Sequence, residues 1–142
     1  MNNSVFIKRV VSWIIVLIAI LFGLATIKSG GQILFGSEEA RIAAGNYIPF
    51  VLWFNFSSGF LYIIAGIGIA LQRKWSIGVS LFILLSTLIV FVIFGFNIFF
   101  ADIAYENRTV GAMFLRIIIW FIIFTFTYKQ FKHVQKEQFN EK

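Results

Sequence analysis

The 142-residue chain contains no cysteine, one histidine and one proline, and charged side chains make up only 13 % of it. Each shortage excludes something. Without cysteine the chain cannot itself carry out thiol–disulfide exchange, and it lacks the disulfide-closed loop of tetraspanin-like and claudin-like four-span proteins. The sole histidine, His133, lies in a polar C-terminal stretch, so haem or a transition metal cannot be held by imidazole within an apolar segment. The one proline, Pro49, falls where the first turn of a span is expected, and there its missing N–H costs little.

What is abundant is apolar. Hydrophobic residues make up 60 % of the chain, nineteen of them Phe, and a soluble domain of this size cannot cover that much apolar surface. The solvent for most of the chain is therefore lipid. Four predominantly apolar runs, Val10 to Ile27, Tyr47 to Leu71, Trp75 to Phe100 and Val110 to Tyr128, have 18, 25, 26 and 19 residues. At about 1.5 Å rise per residue each can cross a hydrocarbon core of about 30 Å, the two long ones with tilt. Such lengths read as helices rather than barrel strands of about 10 residues. The expectation is a single all-α domain, an integral-membrane antiparallel four-helix bundle with spans near 10–28, 47–71, 75–100 and 109–128, an outer loop over 29–46 and a tail over 129–142. The first run follows Lys8 and Arg9, as a signal peptide would. It exceeds the usual signal core of about 7 to 15 residues and no small-x-small cleavage site follows, so it is read as a retained anchor.

Charge gives the orientation. Lys8, Arg9, Arg73, Lys74, Lys129, Lys132, Lys136 and Lys142 all fall on one side, against Glu137 and Glu141. The other side balances Lys28, Arg41, Arg108 and Arg116 with Glu38, Glu39, Asp102 and Glu106. The positive-inside bias places both termini in the cytoplasm. The net charge of +6 is read as topogenic and as meeting anionic lipid. No basic face with stacking aromatics stands outside the membrane, which argues against a nucleic-acid partner.

Within the long loop, Ser37 before Glu38 and Glu39 reads as a helix start and Gly45 as its stop, predicting a short surface helix from Glu38 to Ala44. The second span carries Asn55, Gly59, Tyr62, Gly66 and Ala70 at helical spacing. Small residues let helices approach closely in lipid, so this stripe is read first as packing; a ligand-lining face is the alternative. Ser76, Ser80 and Thr87 share a face of span three, with Asn97 near its outer end. Trp13, Trp75 and Tyr128 mark one interfacial belt and Tyr47, Trp53 and Tyr105 the other. The tail alternates Lys and Gln with Phe131, Val134 and Phe139, predicting that span four continues as an amphipathic helix.

The least ordinary chemistry lies in DIAYENRTVGAMFLR, residues 102–116. With Asn107 as the cap of span four, Arg116 falls roughly 9 to 12 Å below the outer boundary. A lone Arg near a span's centre costs on the order of 3 kcal/mol on insertion scales. A carboxylate would offset this, and Glu106, Asp102, Glu38 and Glu39 lie on the correct side. The first reading is thus a structural ion pair. The alternative is a pocket opening outward in which Arg116 and Arg108 hold a carboxylate, phosphate or quinone oxygen, with Trp120 one turn below on the stripe Thr109, Ala112, Arg116, Trp120, Ile123 and Thr127. Asn55 and Tyr62 complete the candidates. Asn107-Arg108-Thr109 spells a glycosylation acceptor, read as incidental so close to the membrane.

The segments GLATIKSGG and GFLYIIAGIGIALQRKW, a glycine-rich second span with a basic turn and a third span directly after it, resemble the DoxX-like group of small four-span bacterial membrane proteins over roughly residues 10 to 95. The resemblance implies a bacterial inner-membrane location and a role as subunit or partner of quinone-linked redox enzymes. The expected function is a non-catalytic accessory subunit, with membrane lipid and a membrane-protein partner or second copy around it and no cofactor of its own. A binder or carrier of lipid or quinone at Arg116 is the second reading, and a membrane-embedded enzyme the third.

Overall fold

A computed structural model describes the backbone of residues 3–101 and 104–140 and the side chains of 6–101 and 104–132. Among the described residues all regular structure is helical: α1 (Asn3–Phe35), α2 (Glu38–Ala44), α3 (Pro49–Ala70), α4 (Trp75–Ala101) and α5 (Asn107–Asn140). All but α2 are long and apolar enough to cross a bilayer. The chain is a multi-pass membrane protein.

The tightest packing is between α1 and α3. A side-chain carbon at Gly23 would meet the Gly59 carbonyl at 2.8 Å, one at Gly59 would meet Ile27 at 2.6 Å, and one at Gly66 would meet Ile20 at 2.9 Å and Ala19 at 3.4 Å. These contacts run in opposite chain directions, and they let the backbones approach as small residues do in lipid. The glycine stripe of the second span is therefore a packing seam, and its lipid-facing neighbour Ile64 is 44 % exposed.

The same seam explains why α1 does not stop at Ile27. Lys28-Ser29-Gly30-Gly31-Gln32 reads as a loop by composition, yet it forms the last turns of α1. Gly30 lies on Phe56, 3.1 Å from where its side chain would begin, so tertiary contact overrides a weak local preference. The expected loop over 29–46 shrinks accordingly, and its first seven residues are helix wall. A side chain at Gly36 would collide with the Gln32 carbonyl, and there α1 ends.

The short helix α2 has the cap expected of it, with the Ser37 hydroxyl accepting from the Ala40 N–H at 3.4 Å and Gly45 in the left-handed region at φ 69°. Pro49 opens α3 at its first turn. At the other end of α3, Gln72 takes φ 51°, the Gln72 N–H reaches the Ile69 carbonyl at 3.0 Å and the Arg73 N–H the Gly68 carbonyl at 2.8 Å. That pair of bonds is a Schellman stop with a non-glycine residue at its left-handed position. Trp75 packs across Gly68, 2.6 Å from where a side chain would start.

Hydroxyls inside α4 and α5 return to their own helix: Thr87 donates to the Ile83 carbonyl and Thr127 to the Ile123 carbonyl, each at 2.7 Å. In lipid this satisfies the hydroxyl without a partner helix. Two buried clusters follow, one around Ala19, Tyr62, Ile83, Trp120 and Ile123, the other around Ile48, Val51, Phe94 and Met113. Helices α1/α3, α3/α4 and α4/α5 pack closely. The α1/α5 side is looser, and it bears the cavity.

Candidate functional site

At the α2 end of the bundle, a cavity of about 650 Å³ is walled by the last three turns of α1, the inner face of α2, the start of α3 and the first three turns of α5. Its α1 wall follows from spacing: Thr26, Ser29, Gly30 and Ile33 recur on one helical face and all line it. Opposite stand Thr109, Ala112 and Arg116 of α5, at the turn-by-turn interval of that helix.

Helix α5 begins at Asn107 itself, with Glu106 before it accepting from the Thr109 N–H through its carbonyl at 2.9 Å. Asn107 is thus the first helical residue rather than the cap. Nine residues on, about 13 Å along the axis, the half-buried Arg116 faces the cavity. Its Nε and Nη1 are buried and have no hydrogen-bond partner among the described residues. The guanidinium carbon lies 6.0 Å from the Phe22 ring centroid, at the outer limit of a cation–π contact.

The ion pair expected for Arg116 does not form among the described residues. Glu106 precedes Arg116 by ten residues, about 15 Å of rise, and its Oε1 accepts instead from the Asn46 N–H at 3.1 Å. Arg108 points the same way, donating from Nη2 to the Ala43 carbonyl at 3.3 Å. Both side chains line the cavity rim and tether the C-terminal end of α2. A side chain at Gly45 would displace the Glu106 carboxylate from its bond to the Asn46 N–H, and the positive φ there favours glycine in its own right. Glu38 and Glu39 are exposed in the first turn of α2, where they complement its dipole. Asp102 lies outside the described residues.

Asn55 lines the cavity from α3, and its Oδ1 is buried without a partner among the described residues. Tyr62 and Trp120 lie beneath. Both are fully buried, with rings 4.8 Å apart, and Phe22 stacks on Tyr62 at 5.7 Å. The Tyr62 hydroxyl sits among Ser58, Thr87 and Trp120, yet among the described residues neither it nor Trp120 Nε1 makes a hydrogen bond of standard geometry. Structure thus brings together Arg116, Asn55, Glu106 and Arg108 around one space and places Tyr62 and Trp120 in the buried core, outside its lining. What sequence reasoning missed is the α1 wall and the Tyr47, Ile48 and Val51 contribution from the start of α3. The periodicity of Thr26, Ser29, Gly30 and Ile33 is the signal that could have found it.

No family model, curated protein or solved structure matches this chain.

Proposed function

We propose that the chain is a binding protein or carrier for a small amphipathic ligand, taken from the outer side of the membrane and held through its polar end at Arg116. The observation that carries this reading is a guanidinium with two buried nitrogens, unpartnered among the described residues, facing a cavity of about 650 Å³, a size typical of small-ligand sites. Leaving buried donors unmet costs about 1–3 kcal/mol each, more for a charged group. A carboxylate, phosphate or quinone oxygen removes that cost and gains charge-assisted bonds. Lys8, Arg9, Arg73, Lys74, Lys129 and Lys132 cluster toward the ends of the long helices opposite the cavity. The positive-inside rule supports cytoplasmic termini and an outward cavity.

The resemblance to DoxX-like proteins supports a bacterial inner-membrane setting. A second reading, the accessory subunit, draws on the ladder of exposed Phe35, Trp53 and Phe60 around half-buried Phe56, whose neighbouring rings sit 5.4–6.2 Å apart on the α1/α3 surface. An aromatic face of that extent suits another membrane protein as well as lipid. Purification in mild detergent separates the two. Mass spectrometry should find a bound lipid or quinone-like molecule with the wild type and none with Arg116→Gln. A stoichiometric protein partner and no Arg116-dependent molecule would favour the accessory role.

A further inference from the structure

The polar groups of the cavity wall narrow the ligand's chemistry. Arg116 offers donors only, since a guanidinium has no acceptor. An anion meets it fully. Besides the two Arg116 nitrogens, the buried side-chain atom of the cavity wall without a partner among the described residues is Asn55 Oδ1, which is an acceptor and gains nothing from an anion. It requires a donor.

The two groups line the same cavity, Arg116 the deeper of the two. Asn55 stands seven residues before Tyr62 on α3 and Arg116 four residues before Trp120 on α5, and Tyr62 and Trp120 touch. From that contact the helical rise puts Asn55 about 10 Å and Arg116 about 6 Å toward the α2 end, an axial offset of about 4 Å. The walls add Thr26, Ser29, Gln32 and Thr109, more hydroxyl and amide groups than a quinone ring or a bare acyl chain can use. The α1/α5 side is the loosely packed one, the side on which chains attached to a seated polar group would leave toward lipid.

We propose, resting on the binding role just described, that the ligand's polar end is a phosphate ester or carboxylate with a hydrogen-bond donor, an ammonium or hydroxyl, a few bonds away: the anion on Arg116 and the donor on Asn55. Phosphoethanolamine and phosphoglycerol headgroups have this chemistry. Phosphocholine has the phosphate and no donor.

The test is native mass spectrometry of the full-length protein in detergent, titrated separately with dioleoyl phosphatidylethanolamine, phosphatidylglycerol and phosphatidylcholine. Wild type should hold the first two at least roughly tenfold more tightly than the third, as a buried acceptor left unmet costs on that order. Asn55→Leu should level the three affinities, while Asn55→Thr, which keeps an acceptor, should restore part of the preference. Arg116→Gln should weaken all three. Equal binding of phosphatidylcholine by wild type, or a preference that survives in Asn55→Leu, overturns the donor requirement and leaves the binding role standing. Indifference to Arg116→Gln sinks both. Soluble O-phosphoethanolamine and glycerol phosphate, added as competitors, identify the source: displacement of lipid at equal concentration assigns the site to free phosphate esters, and no displacement assigns it to headgroups, with the donor-bearing anion upheld in either case.

Discussion

Arg116 and Trp120 were legible as residues because an Arg inside an apolar run and a Trp away from both interfacial belts are each out of place. Their partners were not. Sequence places Glu106 on the correct side of the membrane, but a carboxylate one residue before a helix and a guanidinium nine residues into it are separated by the length of the helix between them. The nearer claim on Glu106 comes from the Asn46 N–H across the loop, which no spacing in one chain segment reveals. An expectation follows for a double-mutant cycle. Arg116→Gln combined with Glu106→Gln should show a coupling below about 0.5 kcal/mol in thermal or chemical unfolding, as for sites without a shared partner. Arg116→Gln alone should leave the ligand-free protein as stable as wild type or more so, since it removes a desolvated charge with no ion pair among the described residues. Coupling above about 1 kcal/mol would restore the structural ion pair.

Elements were readable where local chemistry and packing agree. The short helix α2 is marked by Ser37, two glutamates and Gly45, and each of these does locally what its residue type does best. The last two turns of α1 were hidden because Gly30, Gly31 and Ser29 argue for a loop in isolation and for close packing only once Phe56 is beside them. For the α1/α3 seam, Gly66→Leu should lower the thermal midpoint in detergent by several degrees, because Ile20 and Ala19 stand in the way and overpacking costs about 1–3 kcal/mol. Leu at Ile64, exposed to lipid, should be nearly silent. At the α3–α4 turn, Gln72→Gly should raise stability by about 0.5–1 kcal/mol, since glycine adopts the positive φ at Gln72 without strain. A lower midpoint for Gln72→Gly would mean that its side chain holds the turn by another route.

At the scale of the molecule, four apolar runs and a one-sided distribution of Lys and Arg make a multi-pass protein plain from sequence, while the cavity is a property of assembly. It exists because α1 and α5, the first and last helices of the chain, pack more loosely than the other neighbouring pairs and because α2 is tethered across the gap by Glu106 and Arg108. The absence of cysteine makes the central claim directly measurable. Ala112, one turn before Arg116 and lining the cavity, can be replaced by the only cysteine in the protein and exposed in intact cells to membrane-impermeant methanethiosulfonates, with Ile118→Cys on the exposed face of α5 as the control. Ala112→Cys should react from outside while Ile118→Cys does not, and the anionic sulfonatoethyl reagent should outpace the cationic trimethylammonioethyl one by roughly tenfold, a bias that a focused positive charge produces and that Arg116→Gln should remove. Reaction of Ala112→Cys only from the cytoplasmic side, or equal rates for the two reagents with Arg116 intact, would contradict an outward cavity built around an anion-binding arginine.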